Sequence, residues 1–212
     1  MTAWLTQIIP DYRNNQVHHD LRDVDAMHKR VMMLVPDGLG DQARQQVGVL
    51  YRIEDSARGP RILIQTRIPP ELSRLPAGYG QAEVRDLGPL LDWLATGAMV
   101  RYRLTANTCK RKSHSTKVIA LRGTAADEWW ASRAPGCGLT LQSLIPHSLD
   151  DAVGGPDRKN GIRHAITRFD GVAAIADPGA LREAILAGVG RGKSHGCGLL
   201  SIAPLAAAST AA

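Results

Sequence analysis

Between Gly188 and Ser201 the chain reads Gly-Val-Gly-Arg-Gly-Lys-Ser-His-Gly-Cys-Gly-Leu-Leu-Ser, five glycines and the cations Arg191 and Lys193 just ahead of the last strand-forming stretch. Glycine lets backbone N–H groups come close to a phosphate, and cations neutralise the charge they approach. Ala187 to Ser194 even fits the loose spacing of a nucleotide phosphate loop, a small residue followed by Gly-Lys-Ser. Its position argues against that chemistry. A nucleotide hydrolase needs a strand before the loop, a helix after it and further strands bearing a magnesium-binding acid, whereas only 18 residues follow Ser194 and they read as strand and tail. Gly190, Arg191, Gly192 and Lys193 are therefore candidate contacts to the phosphates of a nucleic-acid backbone.

A second candidate is His28. Leu21, Val24, His28, Val31 and Val35 recur at intervals of three and four, which places the imidazole on or beside the apolar stripe of a helix. From spacing alone the default is a packed, hydrogen-bonded histidine, and general acid–base work is the alternative. Lys29 and Arg30 follow it on other faces. His18 and His19 read as a loop pair without a helical partner or a carboxylate at ligand spacing, so no metal site is expected, nor any cofactor. His114 and His164 lie in the basic stretches, where exposed polar residues are the default and stacking on or hydrogen bonding to a nucleotide is the alternative, and His195 sits in the glycine loop.

The charge pattern carries the nucleic-acid reading further. The net charge is +6, and Arg101 to Arg122 holds seven cations and no acid: Arg101, Arg103, Lys110, Arg111, Lys112, Lys117 and Arg122. Arg158, Lys159, Arg163 and Arg168 form a second acid-free stretch. Aromatic residues make up only 4% of the chain, so recognition by backbone charge and shape is favoured over base stacking on a sheet. Cys109, Cys137 and Cys197 are odd in number and lack a Cys-x-x-Cys pair, which fits reduced thiols in the cytoplasm. No signal peptide or membrane-length apolar run is present.

These groups need a scaffold, and the periodicity predicts one. Trp4–Ile9 reads as a strand, residues 11–19 as a polar loop, residues 20–35 as a helix, and residues 47–54 and 61–68 as a hairpin. A turn or short helix near Pro70–Pro76 and a strand near Gly78–Val84 complete a β-α-β-β-α-β order, after which residues 87–97 read as a connection. The second half repeats the theme. Strands are expected at residues 100–108, 117–121 and 139–145, a helix at 125–133, a hairpin of 162–169 with 172–175 turning at Asp170-Gly171, a helix at 177–187 and a closing strand at 198–204. The fold class is thus α+β with two tandem ferredoxin-like domains, residues 1–88 and 98–204, and a disordered tail over 205–212.

With these residues in hand, the chain resembles the CasE endoribonucleases of the type I-E CRISPR Cascade. Trp4-Leu5-Thr6, Asp20-Leu21 through Met27-His28, Arg101-Tyr102-Arg103-Leu104-Thr105-Ala106-Asn107 with Lys110, and above all Gly188-Val189-Gly190 to Gly198-Leu199-Leu200-Ser201-Ile202-Ala203-Pro204 carry the resemblance. It implies a protein that binds the stem-loop of the CRISPR repeat, cuts precursor CRISPR RNA at the 3′ base of the stem without a metal, and remains on its product beside other Cascade subunits. The catalytic histidine of that family falls on His28, with Asp25, Lys29 and Arg30 as candidate support. The 2′-hydroxyl attacks the adjacent phosphate, leaving a 2′,3′-cyclic phosphate, so the site needs a proton-moving group and cations. Many relatives carry a tyrosine three residues before the histidine, where this chain has Asp25. An ionised aspartate cannot donate as a phenol does, although it can orient the imidazole or raise its pKa. Tyr12 is a substitute phenol, and Thr108 stands where the family has proline. The competing reading is a subunit that binds the RNA without cutting it.

Overall fold

Trp4–Pro10 forms β1 at the centre of the first sheet in the computed structural model, which describes residues 2–56, 59–111, 118–154 and 162–205. The hairpin of β2 (Leu50–Glu54) and β3 (Arg61–Thr66) lies on one side of β1 and β4 (Gly80–Asp86) on the other, giving the antiparallel order β2-β3-β1-β4. That is the strand order of a ferredoxin-like unit. Between β3 and β4 only a 3-10 turn, Leu72–Arg74, stands where a second helix belongs. Pro69, Pro70 and Pro76 flank it and deny a longer helix its N–H donors.

The helix expected over residues 20–35 is two helices, α1 (Asn15–Arg22) and α2 (Val24–Met32), so His18 and His19 lie on a helix and not in a loop. Asp23 makes the break. Its backbone is extended, and its carboxylate accepts the N–H groups of Asp25 and Ala26 at 2.8 and 2.9 Å, an N-cap that restarts the helix on a new axis. Val17, Met27, Val31 and Leu34 then pack on Ile8, Ile62, Ile64 and Tyr79 of the sheet side. A single turn, α3 (Ala43–Gln46), leads into β2.

The connection expected over residues 87–97 contains α4 (Gly88–Trp93), whose Leu91 is sealed in the second core together with Ala3. β5 (Met99–Asn107) continues into β6 (Cys109–Arg111), which pairs with β7 (Val118–Ala120) as a two-stranded ribbon. After α5 (Thr124–Ala131) come β8 (Leu139–Leu141), β9 (Ile145–Ser148), β10 (Ala152–Gly154), β11 (Ile162–His164), β12 (Ile166–Ile175), α6 (Pro178–Ala187) and β13 (Leu200–Pro204). The order β13-β5-β12-β8 repeats that of the first sheet, so two ferredoxin-like units stand in tandem. Trp129, Trp130, Phe169 and Leu181 fill the second core.

No hairpin turns at Asp170-Gly171. β12 runs straight through, paired with β5 from Ile166↔Asn107 to Ala174↔Met99. Gly171 is there for close approach, since a Cβ would sit 2.2 Å from the Ser143 carbonyl oxygen. The same spot splits the strand expected at 139–145: the N–H groups of Gln142 and Ser143 both reach the Val172 carbonyl, at 2.8 and 3.1 Å, and the resulting bulge separates β8 from β9. β11, expected in that hairpin, instead pairs with β10.

Candidate active site at the junction of the two units

The glycine run is a lasso folded onto the protein. It leaves α6 at Gly188, closes through the Val189 N–H to the Gly198 carbonyl at 2.9 Å, and is pinned by Lys193 Nζ, which donates to the Ala187 carbonyl at the end of α6 at 2.7 Å. Within it Lys193–His195 makes a 3-10 turn bracketed by Gly192 and Gly196, both left-handed at φ 74° and 78°. A Cβ on Gly196 would lie 3.2 Å from the Tyr51 ring of β2, so the missing side chain lets the lasso dock on the first unit. Gly190 lies against the Trp129 ring and Gly192 against Asn107.

Docking brings His195 to α2. Its Nε2 lies 3.3 Å from Asp25 Oδ1, and its Nδ1 lies 2.9 Å from His164 Nε2. Behind it, His164 Nδ1 meets Asn107 Nδ2 at 2.8 Å. The His28 ring stands edge-on to His195 with centroids 6.4 Å apart. Burial pushes the His28 pKa down, helped by His195 and by Arg44 of α3, while Asp25 pulls the other way. Nδ1 of His28 is buried without a hydrogen-bond partner among the described residues, so a proton placed there has no acceptor, which also disfavours the imidazolium. The His164 and His195 pKa values are lowered too, again chiefly by burial. Open cavities meet this cluster from both sides, one of about 480 Å³ at Asp25 and Lys29 and one of about 450 Å³ at His164, Arg191 and His195.

A family model described as CRISPR associated protein matches residues 3–204. The chain belongs to this family of CRISPR-associated proteins. It is 31% identical to the CRISPR-associated endoribonuclease Cse3 of Thermus thermophilus, an alignment covering 95% of this chain and all of the relative. It is 27% identical to the CRISPR system Cascade subunit CasE of Escherichia coli, over 87% of this chain and 94% of that one. The solved structure of Thermus thermophilus Cse3 bound to an RNA representing a pre-cleavage complex superposes with a TM-score of 0.83 at 27% identity, covering 96% of this chain and 100% of the other.

In this CRISPR-associated protein the cations named from the sequence divide by what surrounds them. Lys110 and Arg111 are exposed on the ribbon strand β6, and Arg191 is exposed beside Asn107, with which it forms an isolated bridge. Arg30 is spent on packing: it pairs with buried Asp20 at 2.6 Å, donates to Gln16 at 2.7 Å and lies over the Tyr79 ring. Arg103 and Arg168 sit in the cleft between the sheets, paired with Asp170 at 2.5 and 3.0 Å. Lys29 is exposed beside Asp25. Lys112, Lys117, His114, Arg158, Lys159 and the tail from residue 206 lie outside the described residues, as does the side chain of Arg163.

Sequence reasoning passed over His195, His164, Asn107 and Arg44. Nothing in their local spacing marks them, because they meet only when the lasso, β11, β5 and α3 converge. Tyr12, the substitute phenol, packs on His18 and Gly59. The phenol beside Asp25 is Tyr51, buried, with its hydroxyl donating to the Val24 carbonyl at 3.4 Å and its pKa raised by that burial.

Proposed function

We propose that this chain cuts precursor CRISPR RNA at the 3′ base of the repeat stem-loop with His28 moving a proton, and stays on the product as a Cascade subunit. The observation that carries this reading is a half-buried imidazole at the junction of the two units, faced by Asp25 and His195 and approached by exposed cations from the β6–β7 ribbon and the lasso. The 2′-hydroxyl loses its proton and attacks the neighbouring phosphorus, the bond to the 5′-oxygen breaks, and that oxygen leaves with a proton. The products are a 2′,3′-cyclic phosphate and a 5′-hydroxyl end. Because the nucleophile belongs to the substrate, no activated water is required, and this supports a metal-independent reaction. Burial that lowers the His28 pKa keeps a free imidazole available at neutral pH. Lys110, Arg111 and Arg191 are the cations to grip the stem-loop, with Lys112, Arg158, Lys159 and Arg163 carried from the sequence, and the exposure of Lys29 beside Asp25 supports a role for it at the scissile phosphate. The three free cysteines support a cytoplasmic setting; among the described residues no helix is long and apolar enough to cross a membrane.

The test is single-turnover cleavage of a repeat hairpin in chelator. His28→Ala is expected to slow cleavage by about 10²- to 10⁴-fold with RNA binding intact, and a 2′-deoxy sugar at the cut site to abolish it. Tight binding of uncut RNA by the native chain would instead make it a binding subunit alone.

A further inference from the structure

We propose that His195 is a positioning residue of this active site, holding the Asp25 carboxylate beside His28 through a hydrogen-bond chain that begins at Asn107 and His164. This rests on the reading of His28 as the proton-moving group and adds three residues to its support.

The directions of the contacts carry the inference. Asn107 Nδ2 can only donate, so His164 Nδ1 must accept at 2.8 Å. A neutral His164 then bears its proton on Nε2 and gives it to His195 Nδ1 at 2.9 Å. His195 is left with its proton on Nε2, which faces Asp25 Oδ1 at 3.3 Å, the longest contact of the line. Every donor along this line meets an acceptor, and the line ends on the carboxylate three residues before His28 on the same helix. Both His195 nitrogens are engaged, so the ring orients and does not itself reach substrate. The side chain of His195 is only 15% exposed while that of Asp25 is 35% exposed, so a sheltered donor holds a carboxylate open to the cavity.

Among the described residues, the charged and titratable groups around His28 and His195 include Asp25 on α2, Arg44 on α3, Tyr51 on β2, His164 on β11, and Arg191, Lys193 and Cys197 of the lasso. Among these Asp25 is the anion that favours a protonated His28. Removing the Asp25 charge therefore moves the His28 titration to lower pH, whichever proton His28 transfers.

Single-turnover cleavage of the repeat hairpin across pH tests this, paired with an NMR titration of His28 in the RNA-free protein. His195→Ala and Asp25→Asn should each slow cleavage by about 100-fold, the scale of a displaced catalytic group, with RNA affinity unchanged. The double variant should be no slower than Asp25→Asn alone, the pH–rate limb of His28 should shift down in Asp25→Asn, and His195→Gln, which keeps a donor, should recover most of the rate. Native rates in His195→Ala, or additive losses with an unmoved His28 titration, overturn the proposal. Full cleavage by His28→Ala overturns the functional reading instead. Should His195→Ala not fold, His164→Ala breaks the chain one link earlier. The NMR titration decides even if no RNA is cut: an unmoved His28 pKa in Asp25→Asn refutes the arrangement.

Discussion

Two groups of cations, each including residues from the basic stretches of the sequence, behave in opposite ways. In the cleft between the sheets Arg52 is buried at 2% exposure, pairs with Glu54 at 2.7 Å, and donates across the unit boundary to the Leu199 carbonyl at 2.8 Å and Ser201 Oγ at 3.0 Å. Arg103 joins Glu54 to Asp170, and Arg61 and Arg168 complete the network, so each of these four arginines already has a carboxylate. On the ribbon and lasso, Lys110, Arg111 and Arg191 are exposed. A run of basic residues is thus not a binding surface until the fold shows which of its charges are already compensated. The first group ties the two units together, and the second is left for a polyanion.

Removing one member of the buried network is expected to have the largest effect. Arg52→Ala takes from Glu54 the most buried of its three arginines and leaves the Leu199 carbonyl without this donor, so it should destabilise by about 3 kcal/mol, the low end of the cost of breaking a buried pair from one side, because Arg61 and Arg103 remain. Urea unfolding measures it; a loss within experimental scatter would dissolve the distinction between the two groups. Next in size are the surface cations. Lys110→Ala and Arg111→Ala should each lower the slope of log affinity against log salt by about 1, as a lost phosphate contact does, with unfolding unchanged. Arg103→Ala should leave that slope where it was. Equal slopes for all three variants would mean that cleft and ribbon bind RNA alike.

The same distinction explains what could be read before the structure. Strand order was legible because alternation in Trp4–Pro10, the 50–54 and 61–66 hairpin and the closing strand are local patterns bounded by proline and glycine. The break at Asp23 was not, since an N-cap carboxylate interrupts the helix without disturbing its apolar spacing. Asp170-Gly171 misled because the pair is a turn signal by itself, and only the distant Ser143 and Arg103 reveal a bulge partner and an ion pair. His28 stood out on its helix. His195 did not, because His164 lies 31 positions away and Asp25 in the other unit.

The smallest expected effect concerns the histidines at the junction, where burial and not ion pairing sets the charge. The folded pKa values of His28, His164 and His195 all lie below the ordinary 6.5. Below that pH the unfolded chain takes up protons that the folded chain resists, so their stabilisation is complete above about pH 6.5 and is lost as pH falls toward the depressed folded values. Unfolding free energy should therefore decline from pH 7.5 to pH 5.5, and His164→Gln, which removes one such group while keeping a donor, should flatten the decline. A profile that rises over that interval would mean that these imidazoles are charged in the folded protein, and the neutral donor chain to Asp25 would fail with it.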